Sequence, residues 1–267
     1  MSSLAPIGVF DSGVGGLTVF RAIERAMPGR QLIYLGDTAR VPYGTRSPEA
    51  VIRYSLEAGA FMRSQGVETL IVGCNTASAV ALDALRAETD LDVLGVIEPG
   101  ARRAVERSES KKIGVIGTRA TIHSDAYAKA IRRLAPDATV LSEACPLFVP
   151  LAEEGWIEND VAYGVAFTYL QPMIEAAVDT LVLGCTHYPL LRGVIGATVG
   201  WEVELVDSAE AVAMELSRRI EPAEPAAGEK GQHHFFVTDL PAPFRAVAER
   251  FLGRPLERLE QARIDLI

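Results

Sequence analysis

The chain has 267 residues, 49% of them apolar and 23% charged, which excludes intrinsic disorder and fits one large or two modest globular domains. Lys and Arg number 26 against 35 Asp and Glu, a net charge of −9. A nucleic-acid partner or an anionic membrane surface is therefore not expected, because phosphate contacts need a positive field. A few local donors are still enough to hold an anionic small molecule. No apolar run approaches the roughly 18 residues of a spanning helix. The opening Met1-Ser2-Ser3-Leu4-Ala5-Pro6 has neither the basic start nor the apolar stretch of a signal peptide. Cys74, Cys145 and Cys185 are too few and too widely spaced for a disulfide framework. Together these features predict a cytoplasmic protein with free thiols.

Short β-branched runs alternate with helical patterns along the chain. Ile7 to Phe10 reads as a buried strand, followed by a glycine-rich turn and a helix over Leu17 to Met27. Gln31 to Leu35 is the next strand; a loop over Asp37 to Gly44 leads to a helix over Pro48 to Gln65. Thr69 to Val72 is a third strand, Thr76 to Thr89 its helix, and Val93 to Ile97 a fourth strand. Near-continuous apolar strands separated by amphipathic helices predict an α/β fold with parallel sheets covered on both faces.

The pattern then restarts. Lys112-Ile113-Gly114-Val115-Ile116-Gly117-Thr118 echoes Pro6-Ile7-Gly8-Val9-Phe10-Asp11-Ser12. Asp179-Thr180-Leu181-Val182-Leu183-Gly184-Cys185-Thr186-His187 echoes Glu68-Thr69-Leu70-Ile71-Val72-Gly73-Cys74-Asn75-Thr76 in the same order and at a similar offset. One duplicated unit accounts for both matches. Val203 to Asp207 and a helix over Ala209 to Arg219 follow. Glu221 to Gly231, rich in Pro, Ala and Glu, reads as an exposed loop. The tail reads as a strand over His233 to Val237, a helix over Pro243 to Phe251 stopped by Gly253, and a last strand over Ala262 to Ile267. Being too small to fold alone, it is expected to complete the first domain. The expected division is 1–98 plus 208–267 and 99–207, giving two pseudo-symmetric domains.

Cys74 and Cys185 each stand directly after a buried strand and before a helix. Open parallel sheets bind ligands outside the carboxyl ends of their strands, so both thiols fall at a ligand-binding edge. Capping-type Thr76 and Ser78 after Cys74, and Pro189 after Cys185, mark helix starts, whose free N–H groups favour anions and would lower a thiol pKa. A cysteine after one strand is an ordinary core residue; two in matching halves, each between Gly and Thr or Asn, point to chemistry. Cys145, before Pro146, reads as a core or loop residue. A metal site from Cys74, Cys185 and His187 is an alternative, although no C-x-x-C pair or fourth ligand cluster is apparent, and the closely spaced dithiol of a redox pair is missing.

Asp11-Ser12-Gly13-Val14-Gly15-Gly16 meets neither the dinucleotide fingerprint nor the P-loop pattern. It offers close backbone approach at a strand end, with Asp11 and Ser12 at the same edge as Cys74, or else a plain capped turn. Pro42-Tyr43-Gly44 suits one wall of a pocket. His187, two residues after Cys185, is placed to assist the thiol or bind a carboxylate. Glu153 lies in Pro150-Leu151-Ala152-Glu153-Glu154-Gly155, a pattern that by itself reads as a solvated helix end, and His233-His234 read as strand residues.

These strings, with Gly36-Asp37-Thr38-Ala39-Arg40-Val41-Pro42-Tyr43-Gly44, Gly184-Cys185-Thr186-His187-Tyr188-Pro189 and Phe236-Val237-Thr238-Asp239, resemble the glutamate racemase family of the aspartate/glutamate racemase superfamily over nearly the whole chain. The resemblance implies two α/β domains with the active site in the cleft between them, a cofactor-independent reaction and one acid/base cysteine per domain, Cys74 and Cys185. It implies that Asp11, Ser12, Tyr43, Gly44, Asn75, Thr76, Thr186 and His187 bind the amino acid. It also implies that Asp11, Glu153 and His187 assist proton transfer. Glutamate is the expected small-molecule partner, D-glutamate for peptidoglycan and cell shape the expected product, and a homodimer the expected assembly. Inverting an α-carbon requires a proton removed on one face and returned on the other, which two opposed thiols of tuned pKa can do. Aspartate, a hydantoin or a maleate-type compound is the alternative substrate. A two-domain binding protein without chemistry is the alternative class.

Overall fold

A computed structural model describes residues 5–220 and 233–264. The first stretch holds β1 (Ile7–Asp11), α1 (Leu17–Ala26), β2 (Leu32–Gly36), α2 (Pro48–Ser64), β3 (Thr69–Val72), α3 (Asn75–Val80), α4 (Leu82–Glu88) and β4 (Asp92–Gly95). Next come α5 (Ile97–Arg107), β5 (Lys112–Gly117), α6 (Arg119–His123), α7 (Ala126–Leu134), β6 (Thr139–Ala144), α8 (Phe148–Glu154) and α9 (Asp160–Glu175). The chain continues through β7 (Thr180–Gly184), α10 (Arg192–Val199), β8 (Glu204–Asp207), α11 (Ser208–Arg219), β9 (His234–Val237), α12 (Phe244–Leu252) and β10 (Leu259–Gln261).

The strands form two sheets, six-stranded in the order β10-β9-β2-β1-β3-β4 and four-stranded in the order β6-β5-β7-β8. Every pairing is parallel. The order β2-β1-β3-β4 repeats as β6-β5-β7-β8, and the repeat holds at the level of single residues. Ile7 pairs with Thr69 as Ile113 pairs with Thr180. Cys74 and Cys185 therefore stand equally far beyond matching ladders. β1 and β7 are buried along their whole length, as expected of strands covered on both faces. Helices begin where short polar side chains satisfy the first-turn N–H groups. Ser47 Oγ accepts from Ala50 N–H with Pro48 behind it, Asn159 Oδ1 from Ala162 N–H, and Asp207 Oδ1 from Ala209 N–H. α12 ends at Gly253 with φ 76°, a left-handed position that favours glycine. Leu17, Phe20 and Tyr34 of the larger sheet's layer share one apolar cluster with Val212 and Leu216 of α11 and with Leu183 and Tyr188 beside β7. The two sheets are thus packed through a common interior.

Several boundaries depart from the sequence expectation. The helix expected over Thr76 to Thr89 breaks at Ala81 into α3 and α4. Ser78 Oγ is tied to the Val72 carbonyl (2.7 Å) and accepts from Val96 N–H (3.3 Å), which holds α3 to the sheet edge while α4 turns away. The fourth strand stops at Gly95 because Val96 is already helical and Ile97 opens α5. Of the strand expected over Ala262 to Ile267, residues 265–267 lie outside the described residues, and the last described strand is Leu259–Gln261. The alternation of Ala262 and Ile264 is real burial, but the Ala262 N–H to Val237 carbonyl bond (2.8 Å) is the last rung of that ladder. The expected loop over Glu221 to Gly231 lies outside the described residues. Cys145 is fully buried.

The tail is held to the front of the molecule by more than its strands. His233 Nδ1 accepts from Leu32 N–H at 3.2 Å, so its Nε2–H points at Glu24 Oε1, 3.0 Å away, and Arg254 Nη2 donates to the same oxygen at 2.6 Å. Burial alone would raise the Glu24 carboxyl, but these two hydrogen bonds and the Arg254 charge hold it at about 2. A depressed carboxylate stabilises the fold fully above its ordinary pKa of 4.5 and ceases to do so as pH falls towards about 2. E24Q is expected to lose ~1–2 kcal/mol at neutral pH, a melting temperature lower by about 2–6 °C. Thermal melts of both proteins should converge as the pH approaches 2.

Candidate active site

The carboxyl ends of both sheets face one cavity of about 210 Å³, small beside the roughly 300–1,000 Å³ pockets of drug-sized ligands and suited to a free amino acid. Of the residues expected to bind or react, Ser12, Tyr43, Gly44, Cys74, Asn75, Thr76, Cys185, Thr186 and His187 line it. Asp11 and Glu153 stand behind this lining. Among the described residues no group of three or more His, Cys, Asp or Glu side chains forms a metal-binding cluster.

On the first side, Cys74 occupies the N-cap position of α3, and its thiol lies 3.5 Å from Ser12 Oγ as donor. Thr76 and Ser78, expected as caps, are inside the helix instead. Asp11 Oδ2 accepts from Gly13 N–H at 3.0 Å, the side chain closing the turn that follows β1. Its other oxygen is buried and without a hydrogen-bond partner among the described residues. Burial raises the Asp11 carboxyl against the pull of the Gly13 N–H and the His187 charge. Burial pushes the Cys74 thiol up to about 12, and the Asp11 charge adds to it, while the Ala77 N–H and the Ser12 hydroxyl work the other way. The lowering expected from a helix start is thus outweighed by desolvation, and at neutral pH Cys74 is a thiol.

The second side has different company. Cys185 Sγ is 3.8 Å from His187 Nδ1, and His187 Nε2 is 2.9 Å from Glu153 Oε1. Burial would pull the imidazole pKa down, but the contacts with Cys185 and Glu153 push it up to about 10. The ring is therefore charged at neutral pH, held between the Cys185 sulfur and the Glu153 carboxylate. Phe251 of α12 packs edge-on to the His187 ring with centroids 5.1 Å apart, and Arg250 Nη1 donates to the Glu153 carbonyl at 2.5 Å.

The remaining wall is polar on one side and rigid on the other. Hydroxyls of Thr76, Thr118 and Thr121 lie 3.0–3.2 Å from one another. The Asn75 side chain is occupied inside the protein, accepting from Tyr127 O–H (2.6 Å) and donating to Ser208 Oγ (3.4 Å). What Asn75 presents to the cavity is first-turn backbone, whose N–H groups lack intrahelical partners. Tyr43 is fixed by Asp37, whose Oδ2 takes its hydroxyl at 2.5 Å and Arg40 Nε at 2.7 Å, while Oδ1 accepts from Thr238 at 2.8 Å. Sequence reasoning missed Thr118, Arg119, Pro146, Val149 and Pro150, which also line the cavity. Thr118 was within reach: in the echo of the first strand it stands where Ser12 stands.

Residues 7–216 match the family model described as Asp/Glu/Hydantoin racemase. The chain belongs to that family. Among its relatives, the glutamate racemase of Geobacter metallireducens is 57% identical over 97% of both chains. Among solved structures, glutamate racemase isoform RacE1 from Bacillus anthracis is similar with a TM-score of 0.91, 39% identity and 98% of each chain covered. The Francisella tularensis glutamate racemase in complex with D-glutamate is similar with a TM-score of 0.89, 34% identity and 98% of each chain covered.

Within this member of the racemase family the loop after β1 touches the opposite wall. Thr18 Oγ1 lies 2.9 Å from the Gly15 carbonyl and 3.0 Å from the Thr186 carbonyl. A Cβ on Gly15 would fall onto Thr186 Oγ1 and within 2.6 Å of the His187 ring. G15A should therefore displace His187 while leaving the sheets intact. We expect a loss of turnover on the order of 10- to 100-fold with an unchanged far-UV circular dichroism spectrum.

Proposed function

We propose that this racemase interconverts L- and D-glutamate without a cofactor, Cys74 and Cys185 acting as the two bases on opposite faces of the α-carbon. The observation that carries this reading is the pair of sulfur-bearing side chains at register-matched strand ends, lining one small cavity. The choice of glutamate is supported by its relatives being glutamate racemases and by the hydroxyls and first-turn N–H groups available to carboxylates. We take the two sides of the cleft to be 1–98 with 208–267 and 99–207, held as a homodimer in the cytoplasm and supplying D-glutamate for peptidoglycan.

The resting protonation states differ. Cys185, as thiolate paired with protonated His187, takes the α-proton of one enantiomer; the Cys74 thiol delivers a proton to the other face. The step leaves Cys74 as thiolate and Cys185 as thiol, and the opposite enantiomer runs it in reverse. Glu153 holds His187 charged and oriented. Asp11, with one buried oxygen free, is an acceptor for the substrate ammonium or for the Cys74 thiol. Ser12, Thr76, Thr186 and backbone N–H groups take the carboxylates, and exclusion of water strengthens each of these contacts in the carbanion-like transition state.

C74S and C185S should each reduce racemisation by at least about 10²-fold, with normal melting curves. Racemisation in deuterium oxide should place deuterium at the α-carbon of the product without added cofactor. Near-normal turnover in either variant would overturn the two-base mechanism, and faster turnover of aspartate would overturn the choice of substrate.

The pH profile follows from His187. A raised imidazole pKa keeps the ion pair intact at neutral pH and loses it as pH rises through about 10. E153Q removes one of the two groups that raise it, so the alkaline limb of kcat/KM should move to lower pH. An unmoved limb would separate Glu153 from His187 protonation.

A further inference from the structure

A second and larger hollow, about 740 Å³, adjoins the two-cysteine cavity and shares Gly44, Thr45, Thr76 and Arg119 with it. Its charged lining is of one sign: Arg46 and Arg119 face it, and among the described residues no Asp or Glu does. Arg46 follows the turn that carries Tyr43 and Gly44, its N–H bonded to the Tyr43 carbonyl at 3.0 Å. Arg119 follows Thr118 on the other side of the cleft. Both side chains are exposed, and neither makes an ion pair among the described residues. Most other arginines in the described chain have a carboxylate or carbonyl partner, so two uncommitted guanidinium groups at one opening, in a protein of net charge −9, form a local positive field against the general one. Between hollow and cavity the walls nearly meet: a Cβ on Gly44 would lie 3.0 Å from Thr118 Cβ.

We infer that this hollow is the substrate entrance, and that Arg46 and Arg119, one on each wall, recruit a dicarboxylate and pass it across the Gly44–Thr118 contact to the two cysteines. The inference rests on the glutamate reading only in needing an anionic substrate. A dianion would be repelled by the overall charge of the protein. Two cations at a concave, low-dielectric opening focus the field and raise the local concentration of the anion. Arg46 lines only the outer hollow, so it acts before the substrate reaches the sulfurs. Arg119 lines both and bridges the two stages.

The test compares R46Q, R119Q, the double variant and R46K with the native enzyme, as kcat and KM at low and high ionic strength. Each Arg→Gln change should lower kcat/KM roughly 3- to 10-fold at low salt, most of it in KM. The native enzyme should lose this advantage as salt rises, since charges beyond about 10 Å are screened near 0.1 M, and the double variant should show a flatter salt dependence. R46K, which keeps the charge, should stay close to native. An unchanged KM and salt slope in the double variant would overturn the entrance, as would a loss confined to kcat. A native protein that turns over aspartate and not glutamate would overturn the substrate reading alone, because the same comparison on aspartate still decides the entrance.

Discussion

Parallel strand pairing is the constraint on which the rest of this structure depends. In a parallel sheet every strand ends at the same edge, so the residues after β1, β2 and β3 converge without any special folding of loops. Two such sheets, sharing one order over four strands and pairing β1 with β3 as β5 with β7, deliver two cysteines to equivalent places. Turned towards one another, those edges make a cavity whose opposite walls are built on the same strand order and register. A reaction that needs like groups on both faces of an atom is well served by that arrangement.

The repeat keeps the scaffold and differs in its electrostatics. Where the first unit has Asp11, the second has Gly117; where the second has His187, the first has Thr76. One sulfur is thus held as a thiol by burial and by the Asp11 carboxyl, and the other lies beside an imidazole kept charged by its contacts with that sulfur and with Glu153. Two equivalent sulfurs would compete for one protonation state. In the proposed mechanism these unequal neighbours let one sulfur start as thiol and the other as thiolate, the condition for handing a proton through a planar carbon.

Contacts across the cleft hold this difference in place. Asn75 joins Tyr127, Thr18 approaches the Thr186 carbonyl, and Arg250 with Phe251 braces the Glu153–His187 pair. Each tie runs from one sheet's surroundings to the other's. The bareness of Gly15 belongs with them, since any side chain there would enter the imidazole. Movement of one unit against the other would therefore alter His187 and the cavity width together.

Much of this was legible in the chain. Apolar runs flanked by glycine and polar turns located β1, β3, β7 and β9 to within a residue or so, and the paired echoes predicted two like halves with cysteines at strand ends. Less was legible between Thr118 and Asp179, where Pro146, Val149 and Pro150 join the lining and carry no chemical signal of their own. Protonation was not legible at all. Local pattern suggested that helix starts would lower both thiols, yet burial of Cys74 and the approach of Asp11 reversed the sign. Glu153, on its own a solvated helix-end residue, became part of the site because the chain folds α8 beside the turn that follows β7. Amino-acid order determines which strands form and where their ends lie, because those are matters of local periodicity. Desolvation and the meeting of distant charges depend on what packs across the cleft, and only the assembled fold decides them.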